Sequence, residues 1–90
     1  MRVARRFVIS GRVQGVGFRY FARDVALREG VTGWVHNLPD GTVEARVEGE
    51  SEAVTRVERA LRSGPRGARV DEVFVDDEDP AFVHRTFTID

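Results

Sequence analysis

Two segments of the chain each carry a single apolar stripe at helical spacing, and each lies between segments rich in β-forming residues. The first stripe ends before Gly30 and the second before Gly64. Their members are Phe18, Phe21, Ala22, Val25 and Ala26 in the first, and Ala53, Val54, Val57, Ala60 and Leu61 in the second. A helix with one apolar stripe is stabilised by packing that stripe on another element. Both helices are therefore expected to cover a sheet.

The segments around these helices have the composition and spacing of β-strands. They read RRFVISGRV before the first helix, VTGWVHN and GTVEARVEG between the helices, and ARVDEVFV and TFTI after the second. In GTVEARVEG the residues Val43, Ala45 and Val47 alternate with charged residues, as a half-buried strand requires. The short LPD segment before it predicts a hairpin turn.

The predicted order of elements is β-α-β-β-α-β, followed by a short extra strand at the C-terminal end. Two helices on one face of an antiparallel sheet, joined to it by right-handed crossovers, form a ferredoxin-like α+β sandwich. No repeat or linker divides the sequence, so we expect one domain over residues 1–90. A fold of this kind does not by itself indicate a function.

The sequence also predicts the start of the second helix and the conformation of an acidic run. Ser51 precedes the second apolar stripe and is expected to cap that helix, with Glu52 in the first turn near the positive end of the helix dipole. The acidic run from Asp76 to Asp79 is expected to form a solvated turn, because it lacks the spacing of an EF-hand calcium loop.

The composition argues against several classes of protein. The 90 residues are 41% hydrophobic and 32% charged with a net charge of −1, which is typical of a globular protein and does not favour a nucleic-acid partner. Without cysteine there is no disulfide, iron–sulfur cluster or thiolate metal site.

No apolar run approaches the roughly 20 residues that span a membrane, and a signal-peptide pattern is missing, so a cytoplasmic protein is expected. All 14 basic residues are arginine, a bias that a GC-rich genome or a hot habitat would each produce.

The segment QGVGFR, from Gln14 to Arg19, lies between the first strand and the first helix. At a helix start, unpaired backbone N–H groups and the helix dipole favour an anion. Gly15 and Gly17 can adopt the positive φ angles of a concave nest of N–H donors, and Arg19 can grip two oxygens of a phosphate or carboxylate. The segment matches neither a Walker A loop nor a dinucleotide fingerprint. Its chemistry favours a phosphate site, and an ordinary glycine-rich turn with a surface arginine is the alternative.

Asn37 is the second candidate, because it is the only asparagine in the chain. Its amide can hold a water in a fixed direction, although asparagine is also common beside hairpin turns. His36 points to the opposite face of the strand and is interpreted as a surface or packing residue, as is His84. Two histidines so far apart in the sequence, without carboxylates at ligand spacing, do not predict a metal site.

Three stretches of this sequence together resemble the acylphosphatase family. They are GRVQGVGFR, GWVHNLPDGTVEARVEG and SGPRGARVDEV, in this order and over nearly the whole chain. The resemblance implies hydrolysis of the carboxyl-phosphate anhydride of acyl phosphates to a carboxylate and inorganic phosphate. His36 stands where that family often has an arginine, and Asp90 stands where an aromatic residue often closes the chain.

The resemblance also implies a role for each candidate residue. Arg19 binds the phosphoryl group and Asn37 positions the attacking water. The backbone of the loop cradles the phosphoryl group, through Gln14, Gly15, Val16, Gly17, Phe18 and Arg19. The implied substrate is a small-molecule acyl phosphate, inorganic phosphate or sulfate is expected to bind the same loop, and we expect a monomer without a cofactor or metal.

Three alternatives have other functions. An RNA-binding module can use the same fold, but it would display aromatic residues on its central strands, and TVEARVEG has none. A non-catalytic anion sensor would use the same loop without turnover. The chain also resembles the acylphosphatase-like part of hydrogenase-maturation carbamoyltransferases, although a free-standing domain of 90 residues does not favour that function.

Overall fold

A computed structural model describes all residues from 1 to 90, which form five strands and two helices. The elements in chain order are β1 (Arg2–Arg12), α1 (Phe18–Glu29), β2 (Thr32–Asn37), β3 (Val43–Glu50), α2 (Ser51–Ser63), β4 (Arg69–Glu78) and β5 (Phe87–Ile89). The strands form one sheet in the order β4-β1-β3-β2-β5. The first four strands pair antiparallel, as predicted for a ferredoxin-like sandwich, and β5 adds to β2 in parallel, so the complete sheet is mixed.

The core lies between the sheet and the two helices. On β3 the predicted burial of Val43, Ala45 and Val47 is confirmed, and all three pair in register with residues of β1. The prediction that the strand is only half-buried is wrong, because Arg46 and Glu48 on its other face are buried as well, at 8% and 1% exposure. The apolar stripes of both helices join the same cluster, with Phe18 from α1 and Leu61 from α2 buried to 2% exposure or less. One continuous core thus fixes the start of α1 against the ends of β1 and β2.

The two helices begin and end near the predicted residues. Gly30 adopts a left-handed conformation after α1, and its N–H group donates to the carbonyls of Ala26 and Leu27, as a helix C-cap requires. The prediction that Ser51 caps α2 is wrong, because β3 runs directly into the helix and places Glu50 in the capping position, where its side chain makes no capping bond. Neither helix is long and apolar enough to pass through a bilayer.

The prediction of a solvated turn at the acidic run is also wrong for most of it. Asp76 to Glu78 belong to β4 and pair with residues 4 to 6 of β1. Arg6 donates to Asp76 Oδ2 at 2.8 Å, and Arg46 of β3 donates to Glu78 Oε1 at 2.7 Å. The run forms a strand because arginines on β1 and on β3, one strand further along the sheet, neutralise its carboxylates, and the local sequence does not reveal these partners.

Candidate active site

A cavity of about 230 Å³ opens where β1, the loop after it, α1 and the end of β2 meet. Its walls are Val13, Gly15, Gly17, Phe18, Arg19, Tyr20 and Asn37. The fold thus brings Asn37 next to six residues of the loop and the first turn of α1, which lie 17 to 24 positions earlier in the chain. Most of the candidate residues meet here, whereas Gln14 and Val16 do not line the cavity.

The loop reaches α1 through two glycines in left-handed backbone conformations. Gly15 has φ 74°, and Gly17, the residue before the helix, has φ 77°. A Cβ atom at either position would have no heavy atom within 4 Å, so the backbone angle and not space favours glycine there. No side chain caps the N-terminus of α1 and no acidic residue lies in its first turn. The positive end of the helix is therefore left available for an anion.

Arg19 lies in the first turn of α1 and is partly buried beside the cavity. Most arginines on the sheet and on α2 are paired with carboxylates, as Arg6 and Arg46 are. Arg19 has no such partner, and the other unpaired arginines of the chain are exposed. A half-buried guanidinium without a counter-charge makes the cavity attractive to an anion such as a phosphoryl group.

Asn37 ends β2, where it pairs with Val43 and borders the same cavity. Its Oδ1 atom is the one buried side-chain oxygen or nitrogen in the chain that has no hydrogen-bond partner. Buried acceptors are nearly always satisfied, so an unpaired one beside a cavity is a good acceptor for a group that enters it. A water that donates a hydrogen to Asn37 Oδ1 would be held beside the loop.

Gln14 joins the loop to the turn that follows Asn37. Its Nε2 atom donates to the carbonyl of Leu38 at 2.8 Å and to the carbonyl of Thr42 at 2.9 Å. The side chain therefore acts on the neighbouring turn, and its predicted part in phosphate binding would be played by its backbone. Nothing in the local sequence predicts these two bonds, because their acceptors lie 24 and 28 residues away.

The turn itself is held by Asp40. Its Oδ1 atom accepts bonds from the Thr42 hydroxyl at 2.6 Å and from the Thr42 backbone N–H at 3.0 Å. The hydroxyl and then the N–H lower the pKa of this carboxyl below its ordinary value, because both bonds favour the ionised form. With Gln14, this Asx turn fixes the backbone directly after Asn37.

His36 lies away from the cavity, on the open face of the sheet. Its ring stacks on Trp34 with the two centroids 4.7 Å apart, and its Nε2 atom lies 2.6 Å from Glu44 Oε1. The contacts agree with the interpretation of His36 as a packing residue. No three His, Cys, Asp or Glu side chains cluster closely enough to hold a metal ion.

The chain matches one protein family over almost its whole length. The family model for acylphosphatase matches residues 5–89. An acylphosphatase from Anaeromyxobacter dehalogenans is 59% identical over 80 residues, which cover 89% of this chain and 86% of that protein.

Solved structures show the same relation. The crystal structure of acylphosphatase from Bacillus subtilis superposes with a TM-score of 0.93 at 36% identity and covers 97% of both chains. The crystal structure of T. kodakarensis HypF superposes with a TM-score of 0.85 at 31% identity, but this chain covers only 12% of that protein. The family match, the identity and the shared fold agree, and the chain therefore belongs to the acylphosphatase family of enzymes.

Proposed function

We propose that this protein hydrolyses the carboxyl-phosphate anhydride of small acyl phosphates in the cavity formed by the loop 14–19 and Asn37. The observation that carries the proposal is the meeting of two unpartnered groups in one cavity. Arg19 is a half-buried cation without a carboxylate, and Asn37 Oδ1 is a buried acceptor without a donor. A phosphoryl group would satisfy the first, and the water that attacks it would satisfy the second.

Arg19 and the backbone N–H groups of the loop bind the phosphoryl oxygens. The guanidinium donates two parallel bonds, and the uncapped N-terminus of α1 adds donors and a partial positive charge. These groups are already in place before substrate binds, so little reorganisation is needed when charge shifts in the transition state. The phosphoryl group is thereby oriented with respect to Asn37.

Asn37 accepts a hydrogen bond from the attacking water and directs the water oxygen at phosphorus. The new bond forms between that oxygen and phosphorus while the bond from phosphorus to the acyl oxygen breaks, and the carboxylate leaves with the electron pair. The proton of the water passes to a phosphate oxygen. Because a carboxylate is a good leaving group, alignment and charge stabilisation suffice without a strong base or a covalent nucleophile.

The function is tested by measuring phosphate release from benzoyl phosphate. We expect turnover, competitive inhibition by inorganic phosphate, and the same rate after dialysis against EDTA, because Arg19 supplies the charge that a metal ion supplies in many phosphoryl-transfer enzymes. Phosphate binding without turnover would indicate an anion sensor instead. A rate abolished by EDTA and restored by magnesium would contradict this account of charge stabilisation.

The role of Arg19 is tested by Arg19→Lys. Lysine keeps the charge but loses the planar pair of donors, so we expect kcat/KM for benzoyl phosphate to fall at least about 10-fold, with weaker inhibition by phosphate. Arg12→Ala is the matched control, because Arg12 is exposed at the end of β1 and does not line the cavity. Equal losses in the two variants would indicate a diffuse basic surface instead of a specific cradle.

A further inference from the structure

Tyr20 is the one large side chain that is both exposed and part of the cavity wall. It follows Arg19 in the first turn of α1 and is 56% exposed, whereas Phe18, two residues earlier, is 2% exposed and belongs to the core. Exposed tyrosine is common on protein surfaces. Here, however, the ring lies at the opening of a cavity that already holds a candidate anion site.

A basic residue holds the Tyr20 ring in place. The guanidinium of Arg23, one helical turn further along α1, lies 5.3 Å from the ring centroid. A guanidinium at this distance is attracted to the face of the ring, so the contact favours one orientation of the side chain. A ring that is held in advance loses less conformational entropy when a ligand packs on it.

The other cavity residues leave Tyr20 without a role in the phosphoryl reaction itself. Val13 and Phe18 are buried beneath the loop, at 1% and 2% exposure. The glycines and Arg19 serve the phosphoryl group in the proposed function, and Asn37 serves the water. Only Tyr20 offers exposed apolar surface to the remaining part of the substrate, which is the acyl group on the far side of the bond that breaks.

We propose that Tyr20 contacts the acyl group of the substrate and makes the enzyme prefer acyl phosphates with flat, apolar acyl groups over those with a small one. The inference rests on the proposed function, because it assumes that the phosphoryl group binds in the loop. Aromatic rings gain from offset or edge-to-face packing on tyrosine, and an acetyl group is too small to make that contact. The contact is the same before and during the reaction, so it lowers KM and leaves kcat nearly unchanged.

The proposal is tested by comparing benzoyl phosphate with acetyl phosphate. We expect Tyr20→Ala to lower the ratio of the two kcat/KM values, benzoyl over acetyl, by about 3- to 10-fold, the effect of losing one exposed aromatic contact. The change should lie in the KM for benzoyl phosphate. Tyr20→Phe should restore the ratio, because the ring and not the hydroxyl makes the contact. Phe74→Ala, which removes a ring of similar exposure on β4 away from the cavity, should keep it.

A binding measurement separates this inference from the proposed function. Phenylphosphonate and methylphosphonate carry the same anionic group, and titration calorimetry should find the phenyl compound bound more tightly by the wild type and not by Tyr20→Ala. An unchanged substrate ratio in Tyr20→Ala, or equal losses for both substrates, would overturn the role of Tyr20 while the hydrolytic function stands. A wild-type protein that hydrolyses neither substrate would overturn the function, and the phosphonate titration would still decide whether Tyr20 recognises the ring.

Discussion

At the residue scale, Asn37 is the candidate that is expected to orient the attacking water. Its buried Oδ1 atom has no donor within the protein and borders the cavity, so the donor it needs is a group that enters the cavity. We expect Asn37→Ala to lower kcat for benzoyl phosphate by about 10² to 10³, because one bond that orients the water in the transition state is lost. The inhibition constant of phosphate should change little, because Arg19 and the loop remain.

Thermal unfolding of the same variant provides the control. Alanine removes the unsatisfied acceptor together with the amide, so the unfolding midpoint should stay near that of the wild type, and the loss of kcat cannot then be ascribed to a damaged fold. A near-normal kcat in Asn37→Ala would remove this residue from the mechanism and leave it as a turn residue at the end of β2.

The loop before α1 and the turn between β2 and β3 act as a unit, because Gln14 donates to the Leu38 and Thr42 carbonyls. Gln14→Leu has a side chain of similar size without donors. We expect it to lower kcat about 10-fold or more, since Asn37 can then shift relative to the loop, and to change phosphate inhibition less. The two lost bonds should also lower the free energy of unfolding by about 1–3 kcal/mol.

Comparing the change in kcat with the change in the free energy of unfolding shows whether Gln14 positions Asn37 or only stabilises the fold. Positioning predicts that kcat falls while the fully folded variant still binds phosphate. If unfolding were easier and kcat normal under conditions where the protein is folded, Gln14 would serve the fold alone. Urea unfolding and phosphate inhibition, measured on the same preparation, give both quantities.

At the scale of the whole molecule, Glu48 on the open face of the sheet anchors the segment between β4 and β5. It is 1% exposed, and it accepts bonds from the backbone N–H groups of Ala81 and Phe82 and from the side chains of Arg46 and Arg2. Burial by itself would raise the pKa of this carboxyl, but the bonds and charges of these partners outweigh burial and lower the pKa to about 2.

Because the pKa of Glu48 is lowered in the folded protein, the free energy of unfolding is expected to decrease at acidic pH. The contribution of Glu48 is fully present above its unfolded pKa of 4.5 and is lost as the pH falls through about 2, and it is on the order of 3 kcal/mol. We expect urea unfolding to require less urea at pH 2.5 than at pH 6, with a smaller difference in Glu48→Gln. That variant should also be less stable than the wild type at pH 6, because its amide cannot replace a carboxylate among four donors.

Glu72→Gln is the matched control for acid stability. Glu72 lies on β4 of the same sheet, but it is exposed and has no ion pair or side-chain hydrogen bond. Its replacement should leave the pH dependence of unfolding as in the wild type. The same pH dependence in Glu48→Gln as in the wild type would mean that other carboxylates govern acid unfolding.

The sequence by itself determined the elements whose causes are local. The 3.6-residue stripe from Phe18 to Ala26 and the alternation from Val43 to Val47 each indicate which apolar side chains belong to the core. Gly30 marks the end of α1, because glycine readily adopts the left-handed backbone conformation found there. Their order is enough for a ferredoxin-like sandwich, since few topologies bury two helical stripes on one sheet. The conformation of the loop was likewise predictable, because the positive φ angles of Gly15 and Gly17 follow a local preference of glycine, and the anion-binding role of the loop stays a prediction.

Only the tertiary structure decided what depends on partners far away in the chain. Asn37 lines the cavity beside Arg19 because β2 pairs with β3 in one register, and a shift by one residue would turn its side chain to the other face of the sheet. The bonds of Gln14 reach across 24 and 28 residues, and the acidic end of β4 is a strand because Arg6 and Arg46 face it. Such pairings are set by the packing of the whole core, which no short stretch of sequence contains.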